Sequence, residues 1–195
     1  MDFIKERRSI RKFTAQHVEK KHIDEILGAA VLAPSAKNRQ PWKFIVYSGC
    51  SKDEMLMEME KGLLKTKEEL RNMPNSEYML SDAFNTLRIM HDAPIVIMVL
   101  NTNGGSPFVS VEPFDRITEI CDSLSIGAAV ENMLIKATEL GIGSLWIANT
   151  CFAYNELVNY IGTNSQLIGA VALGYANEAP EARPRKSFGD VVEYR

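Results

Sequence analysis

Between Val18 and Leu32 the apolar residues Ile23, Ile26, Leu27, Ala30 and Val31 recur at intervals of three and four, which predicts an amphipathic helix. Ala33-Pro34-Ser35 closes it, because proline disfavours helix through itself and the residue before it. A polar stretch then runs to Trp42 and a strand, Phe44-Ile45-Val46-Tyr47. Ser51-Lys52-Asp53-Glu54 has the form of a capping box and opens a predicted helix to about Leu70, with Met55, Leu56, Met59, Leu63 and Leu64 as its packing residues. After the break at Asn72-Met73-Pro74-Asn75-Ser76, a second helical stretch extends from about Glu77 to Met90.

Ile95-Val96-Ile97-Met98-Val99-Leu100 is a continuous apolar run and predicts a central strand buried on both faces. The longest predicted helix spans about Phe114 to Leu140, with Leu124, Ala128, Glu131, Leu134, Ile135 and Thr138 outlining its near face. Ser125, Gly127, Ala128 and Ala129 keep one section of it narrow enough for close packing on a partner helix or within one subunit. Gly141-Ile142-Gly143 ends this helix. Strands follow at Ser144 to Ala148 and Gln166 to Gly174, around a short helix near Tyr154 to Tyr160. At the front, Asp2 to Arg8 reads as a short helix, whereas residues 179–195 are polar and proline-broken until Val191-Val192 and Tyr194. Strands alternating with helices imply a layered α+β or α/β domain.

A chain of 195 residues can bury one substantial core, or form one subunit of an oligomer. With 22 basic and 25 acidic residues the net charge is only −3, which gives no nucleic-acid footprint. The first residues lack the apolar centre of a signal peptide, and no apolar run has the length of a membrane span, so a cytoplasmic location is the expectation. Cys50, Cys121 and Cys151 are odd in number and far apart, which suggests no disulfide framework. Together with His17, His22 and His91 they show no metal-ligand spacing; buried small hydrophobes and surface imidazoles are the expected roles. Neither a G-x-G-x-x-G turn nor a P-loop is present.

The chemistry concentrates in two stretches. Arg7-Arg8-Ser9-Ile10-Arg11 gathers three guanidiniums and a hydroxyl that can face one anion, although a solvated basic face would show the same residues. Pro34-Ser35-Ala36-Lys37-Asn38-Arg39-Gln40-Pro41-Trp42 is dense in short polar groups suited to reading the edge of a flat heterocycle.

These residues resemble two signatures of the FMN-dependent nitroreductase family, R-x-S-x-R/K (Arg7, Ser9, Arg11) and P-S-x-x-N-x-Q-P-W (Pro34, Ser35, Asn38, Gln40, Pro41, Trp42). A Leu140-Gly141-Ile142-Gly143-Ser144 stretch and the basic Arg183-Pro184-Arg185-Lys186 tail extend the likeness over essentially the whole chain. The resemblance implies a single domain over residues 1–195, built as a three-layer α/β/α sandwich on a mostly antiparallel sheet. It also implies a homodimer in which the arm at residues 183–195 crosses to the partner. It places Arg7, Arg183, Arg185 and Lys186 at the FMN phosphate, with Arg8 and Ser9 nearby, and Arg11 as a catalytic cation beside N1 and O2 of the ring. Pro34, Ser35, Ala36, Asn38 and Gln40 would reach the same flavin from the other subunit. Trp146 and Ile147 lead to Ala148 and Asn149 beside N5, where some relatives have Glu-Gly, and Asn149 is the second catalytic expectation. Asn85 is the nearest match to an asparagine that the family supplies to the flavin rim, without a clean alignment. NADH or NADPH would donate hydride through N5 in a ping-pong cycle, and a nitroaromatic, quinone or related small acceptor would collect the electrons, with Phe108 and Phe114 narrowing the open face. A flavin-binding redox sensor without turnover is the alternative. Residues 101–113 read equally as a cover over the site or as a connection.

Overall fold

Ile95–Asn101 is buried at every residue, so it needs a neighbouring strand on each side and a layer of helices on each face. The computed structural model, which describes residues 2–195, supplies all four. The strands β1 (Trp42–Ser48), β2 (Ile95–Asn101), β3 (Gly143–Ile147) and β4 (Gln166–Gly174) form one sheet in the order β1-β2-β4-β3, with every neighbouring pair antiparallel. The helices are α1 (Phe3–Glu6), α2 (Lys20–Val31), α3 (Gly49–Glu69), α4 (Ser76–Asp92), α5 (Pro113–Glu139), α6 (Tyr154–Ile161) and α7 (Phe188–Val191). Short 3-10 turns occupy Ala36–Asn38 and Asn149–Ala153.

The alternation of a strand divides β2 between two cores. Ile95, Ile97 and Val99 meet Ile26 and Ala30 of α2 and Ile126, Val130 and Met133 of α5. Val96, Met98 and Leu100 meet Met55, Met59 and Leu63 of α3, Leu87 and Met90 of α4 and Leu157 of α6. Each such side chain withdrawn fully from water contributes about 1.5–3 kcal/mol, so the two-sided burial of β2 fixes the α/β/α layering. The N-terminal segment is tied to the sheet at its β3 side. Ser9 bridges Ser144 in parallel, the Ile10 amide donates to the Ser144 carbonyl at 2.9 Å, and Phe13 bridges Ala176. Gly174 is required there, because a Cβ would stand 2.5 Å from Cδ of Pro94.

Three expectations are corrected. The Ser51 hydroxyl donates to the Ser48 carbonyl inside a helix that has already begun at Gly49, so Ser51 is not its cap. A reciprocal capping box exists instead at Ser187 and Asp190, before α7. On α5 the buried face is Asp122, Ser125, Ile126, Ala129, Val130, Met133, Leu134 and Ala137; Leu124, expected inside, is 70% exposed. A helix with apolar and small residues around most of its circumference presents no unique stripe to read. None of the three cysteines is fully buried, contrary to expectation.

The C-terminal end of α4 is held by a buried lysine from α3. Lys52 Nζ donates to the carbonyls of His91 at 2.8 Å and Ala93 at 2.7 Å, where the helix dipole also favours a cation. Burial pushes the Lys52 ammonium pKa below the usual lysine value. Lys52→Met keeps the apolar stem but leaves both carbonyls without this donor, and urea denaturation is expected to show a loss of about 1–3 kcal/mol.

Candidate functional site

The stretch before β1 is held in a conformation that side chains ordinarily avoid. Lys37, Asn38 and Gln40 have φ of 54°, 54° and 49°, in the left-handed region, with Arg39 between them in right-handed geometry. Such residues cost on the order of 1–3 kcal/mol each and persist only where their surroundings over-determine them. The restraints are visible. The Ala36 amide donates to Ser125 Oγ of α5 at 3.2 Å, the Asn38 amide to the Ser35 carbonyl at 2.9 Å, and the Gln40 amide to Ser35 Oγ at 3.0 Å. Ser35 thus serves the loop as a double acceptor. The Asn38 and Gln40 side chains, joined at 3.3 Å, remain exposed, as does Pro34.

The N-terminal motif docks on another side of α5. Arg7 Nε stands 3.3 Å from Glu131 Oε1, with the arginine side chain mostly buried. Arg8 turns away, donating to the carbonyls of Lys5 at 2.6 Å and Arg7 at 2.9 Å, and lines a cavity with Glu6, Ile10 and Glu178. Arg11 donates from Nη1 to the Ser9 carbonyl at 3.1 Å, while Glu178 accepts from the backbone amides of Arg11 and Lys12. Ser125 and Glu131 are six residues apart, which is about 9 Å along the helix and about 120° around it. Among the described residues, no hydrogen bond or ion pair joins residues 7–11 to residues 34–40.

The end of β3 adds a third group. Trp146, partly exposed, leans over Gly127 of α5, where an added Cβ would meet its ring at 3.7 Å. Gly127 lies one turn from Glu131, so Trp146 and Arg7 share a side of the helix. Ile147 is buried and Ala148 is exposed; the chain leaves the sheet here over Gly169, where any Cβ would collide with the Ile147 carbonyl oxygen. Asn149 is oriented by α4, its Nδ2 donating to Thr86 Oγ1 at 2.9 Å and Asp82 Oδ2 at 3.2 Å. Its Oδ1 is buried without a partner. Asn85 is exposed and accepts from Arg88 of its own helix at 3.0 Å. Arg183, Arg185 and Lys186 are exposed on the tail, where Arg185 donates to the Arg183 carbonyl at 3.1 Å.

Several residues of this region carried no sequence signal. Asp122, wholly buried on α5, accepts from Arg39 Nε at 2.8 Å and from Asn103 Nδ2 at 3.1 Å. Arg39 Nη2 approaches the same carboxylate at 2.7 Å as an ion pair. Further along, Asn101 donates to Gln166 at 3.2 Å, and Gln166 donates to Glu119 of α5. Gly104 belongs to this packing, since a Cβ would stand 2.5 Å from Gln166 Oε1. Residues 101–104 are therefore built into the protein, and Phe108 contacts Tyr154 edge-on at 5.6 Å between ring centres. Among the described residues no cluster of His, Cys, Asp or Glu could hold a metal ion.

An antiparallel four-stranded sheet between two helical layers, with a strained polar loop and an arginine motif on one long helix, defines an α/β class of protein. Within that class, the sequence matches the nitroreductase family over residues 4–175, and the chain belongs to that family. It is 32% identical over 177 residues, 88% of this chain and 82% of the relative, to a candidate NADH dehydrogenase/NAD(P)H nitroreductase of Archaeoglobus fulgidus. A nitroreductase-like family protein of Bacillus cereus superposes with a TM-score of 0.72 at 27% identity, covering 100% of this chain and 94% of that one. A candidate nitroreductase of Desulfovibrio desulfuricans, solved in complex with FMN, shares the fold with a TM-score of 0.72 at 22% identity, over 99% and 94% of the two chains.

The loop's strain is directly testable. Lys37 makes no side-chain hydrogen bond among the described residues, so Lys37→Gly is expected to be neutral or slightly stabilising. Lys37→Val, β-branched in left-handed geometry, should cost at least about 1 kcal/mol relative to the glycine variant. Denaturation midpoints of the two variants check this, and equal values would refute the strain.

Proposed function

We propose that this chain is an FMN-dependent oxidoreductase that takes electrons from NADH or NADPH and passes them to a small nitroaromatic, quinone or related conjugated acceptor, working as a homodimer. The observation that carries the reading is the loop at residues 35–40, strained at three positions while it keeps the Asn38 and Gln40 amides at the surface. Family membership supports the general redox function, and the Desulfovibrio desulfuricans relative is itself solved with FMN.

The residues present fit such a cofactor. Arg7 is anchored through its Nε, 3.3 Å from Glu131 Oε1, its terminal guanidinium nitrogens make no hydrogen bond among the described residues, and Arg183, Arg185 and Lys186 are exposed cations on a tail able to supply further charge to a phosphate. Arg11 would place a fixed positive charge near the pyrimidine edge and favour the electron-rich form of the ring. Ser35, Ala36, Asn38 and Gln40 would bind polar ring atoms, and Asn149 would be held in place by Thr86 and Asp82. Bound FMN supplies the two-electron redox chemistry, so no acid or base of the protein is required for it. The donor and the acceptor would occupy one open face in turn, with Phe108 and Phe114 at its margin.

The dimer reading rests on where the apolar surface lies. Ile117, Ile120 and Leu124 form an exposed stripe along α5, and Phe188, Val191 and Tyr194 are exposed on the arm. An obligate dimer that covered both would be expected to bury more than about 2,000 Å² in total. It would also bring the loop of one chain toward the arginine motif of the other. No helix among the described residues is long and apolar enough to cross a membrane; a cytoplasmic location is part of the proposal.

Acid extraction of the purified protein should release FMN at close to one per chain, and NADH or NADPH should bleach the bound chromophore under anaerobic conditions. A released FAD, or no flavin after reconstitution, would refute the cofactor; a yellow protein inert to both nucleotides would favour a sensor. Arg7→Ala should weaken FMN binding by about tenfold or more, as expected for a charge-assisted bond of roughly 1.5–3 kcal/mol. Arg11→Ala should instead lower the flavin's reduction potential, as read by potentiometry. An unchanged potential accompanied only by flavin loss would move Arg11 to the phosphate.

A further inference from the structure

The polypeptides before β1 and after β2 leave the sheet side by side, because β1 and β2 are antiparallel with Trp42 opposite Asn101. Their first contact continues the ladder: the Thr102 amide donates to the Pro41 carbonyl at 2.7 Å, and the Thr102 hydroxyl adds a second bond at 3.1 Å. Beyond this point the two segments would separate, except that one carboxylate grips both. Asp122 is completely buried; one of its oxygens takes Arg39 from the strained loop, and the other takes the Asn103 amide from the neighbouring loop.

We propose that Asp122 is a positioning residue that makes the polar loop at residues 35–40 and the loop opening at residues 102–104 one mechanical unit. On the reading given above, Asp122 thereby couples the side of the protein that receives the flavin to the side that meets the acceptor. The geometry explains why the carboxylate is needed at this point. Arg39 is the one right-handed residue between Asn38 and Gln40, so holding its guanidinium fixes the peptide planes on either side. A buried carboxylate keeps that hold only while both oxygens are satisfied, and Asn103 satisfies the second. Asn103 is in turn fixed by its backbone N–H, which donates to Asn101 Oδ1 at 3.0 Å, and Asn101 is locked to Gln166. Losing Asn103 therefore weakens the grip on Arg39 without touching the strained loop.

Amide hydrogen exchange by mass spectrometry on the purified protein reads the coupling, because both loops carry hydrogen-bonded amides: Ala36, Asn38 and Gln40 in one, Thr102, Asn103 and Gly104 in the other. Asp122→Asn, which preserves shape, is expected to raise exchange in both segments by tenfold or more while β2 and β4 stay protected. Asn103→Ala should raise exchange at residues 36–40 as well as in its own loop. Arg39→Lys, a point charge without the fork, should fall between wild type and Arg39→Met. If Asp122→Asn proves unstable, the Asn103→Ala and Arg39 variants decide the matter without it. In the flavin-bound protein, Asn103→Ala and Asp122→Asn should also raise the FMN dissociation constant at temperatures well below unfolding. A protein that binds no FMN would overturn the cofactor reading and leave the exchange result to judge the coupling. The proposal is overturned if Asn103→Ala leaves residues 36–40 unchanged, or if Asp122→Asn lowers protection uniformly through the sheet.

Discussion

The rest of the structure depends on the burial of β2 on both faces. Apart from Asn101, this strand offers no polar side chain, so it is stable only with helices on each side and paired strands at each edge. Antiparallel pairing with β1 sends the segments at residues 35–41 and 102–104 out of the same end of the sheet. The polar loop therefore lies where it does because an apolar strand had to be covered.

Helix α5 converts that placement into a site. At intervals of three residues, Glu119 holds Gln166, Asp122 holds Arg39 and Asn103, and Ser125 holds Ala36. Around the same helix, Trp146 lies over Gly127 and Glu131 takes Arg7. The same side continues toward the N-terminal end of the helix as Ile117, Ile120 and Leu124, which face solvent. One helix thus carries the loop on one side and, on another, the arginine motif in line with an uncovered apolar stripe. This arrangement leaves the loop and the arginine motif apart within a single chain, and it is the physical reason for proposing that two chains complete each site.

Much of the fold was legible because its signals are local. The run at residues 95–100 could only be a strand buried twice, and β4 spans the predicted Gln166 to Gly174. What was not legible was orientation. Leu124 and Ser125 are adjacent, one apolar and one polar, and the structure buries the serine and exposes the leucine because Ser125 has a backbone partner in Ala36. Arg8 and Arg11 look equivalent to Arg7 in sequence, yet only Arg7 is paired with α5: α1 ends at Glu6, and Arg8 turns back onto the carbonyls of Lys5 and Arg7. Asp122 left no signal because its value lies in partners 83 and 19 residues away. Asn149 stood out by family resemblance, but the contacts from Asp82 and Thr86 that orient it come from a helix that no local pattern connects to it.

The central claim is that the arginine motif of one chain and the polar loop of another meet at one flavin. Subunit complementation tests it most directly. Arg7→Ala and Asn38→Ala homodimers, each impaired in FMN binding, are unfolded and refolded together, with mass and subunit exchange confirmed by sedimentation and differential tagging. The mixed dimer should recover one wild-type-like flavin site out of two, because one interface receives both intact motifs and the other receives neither. A fully competent monomer, or confirmed heterodimers with no recovered site, would contradict the account.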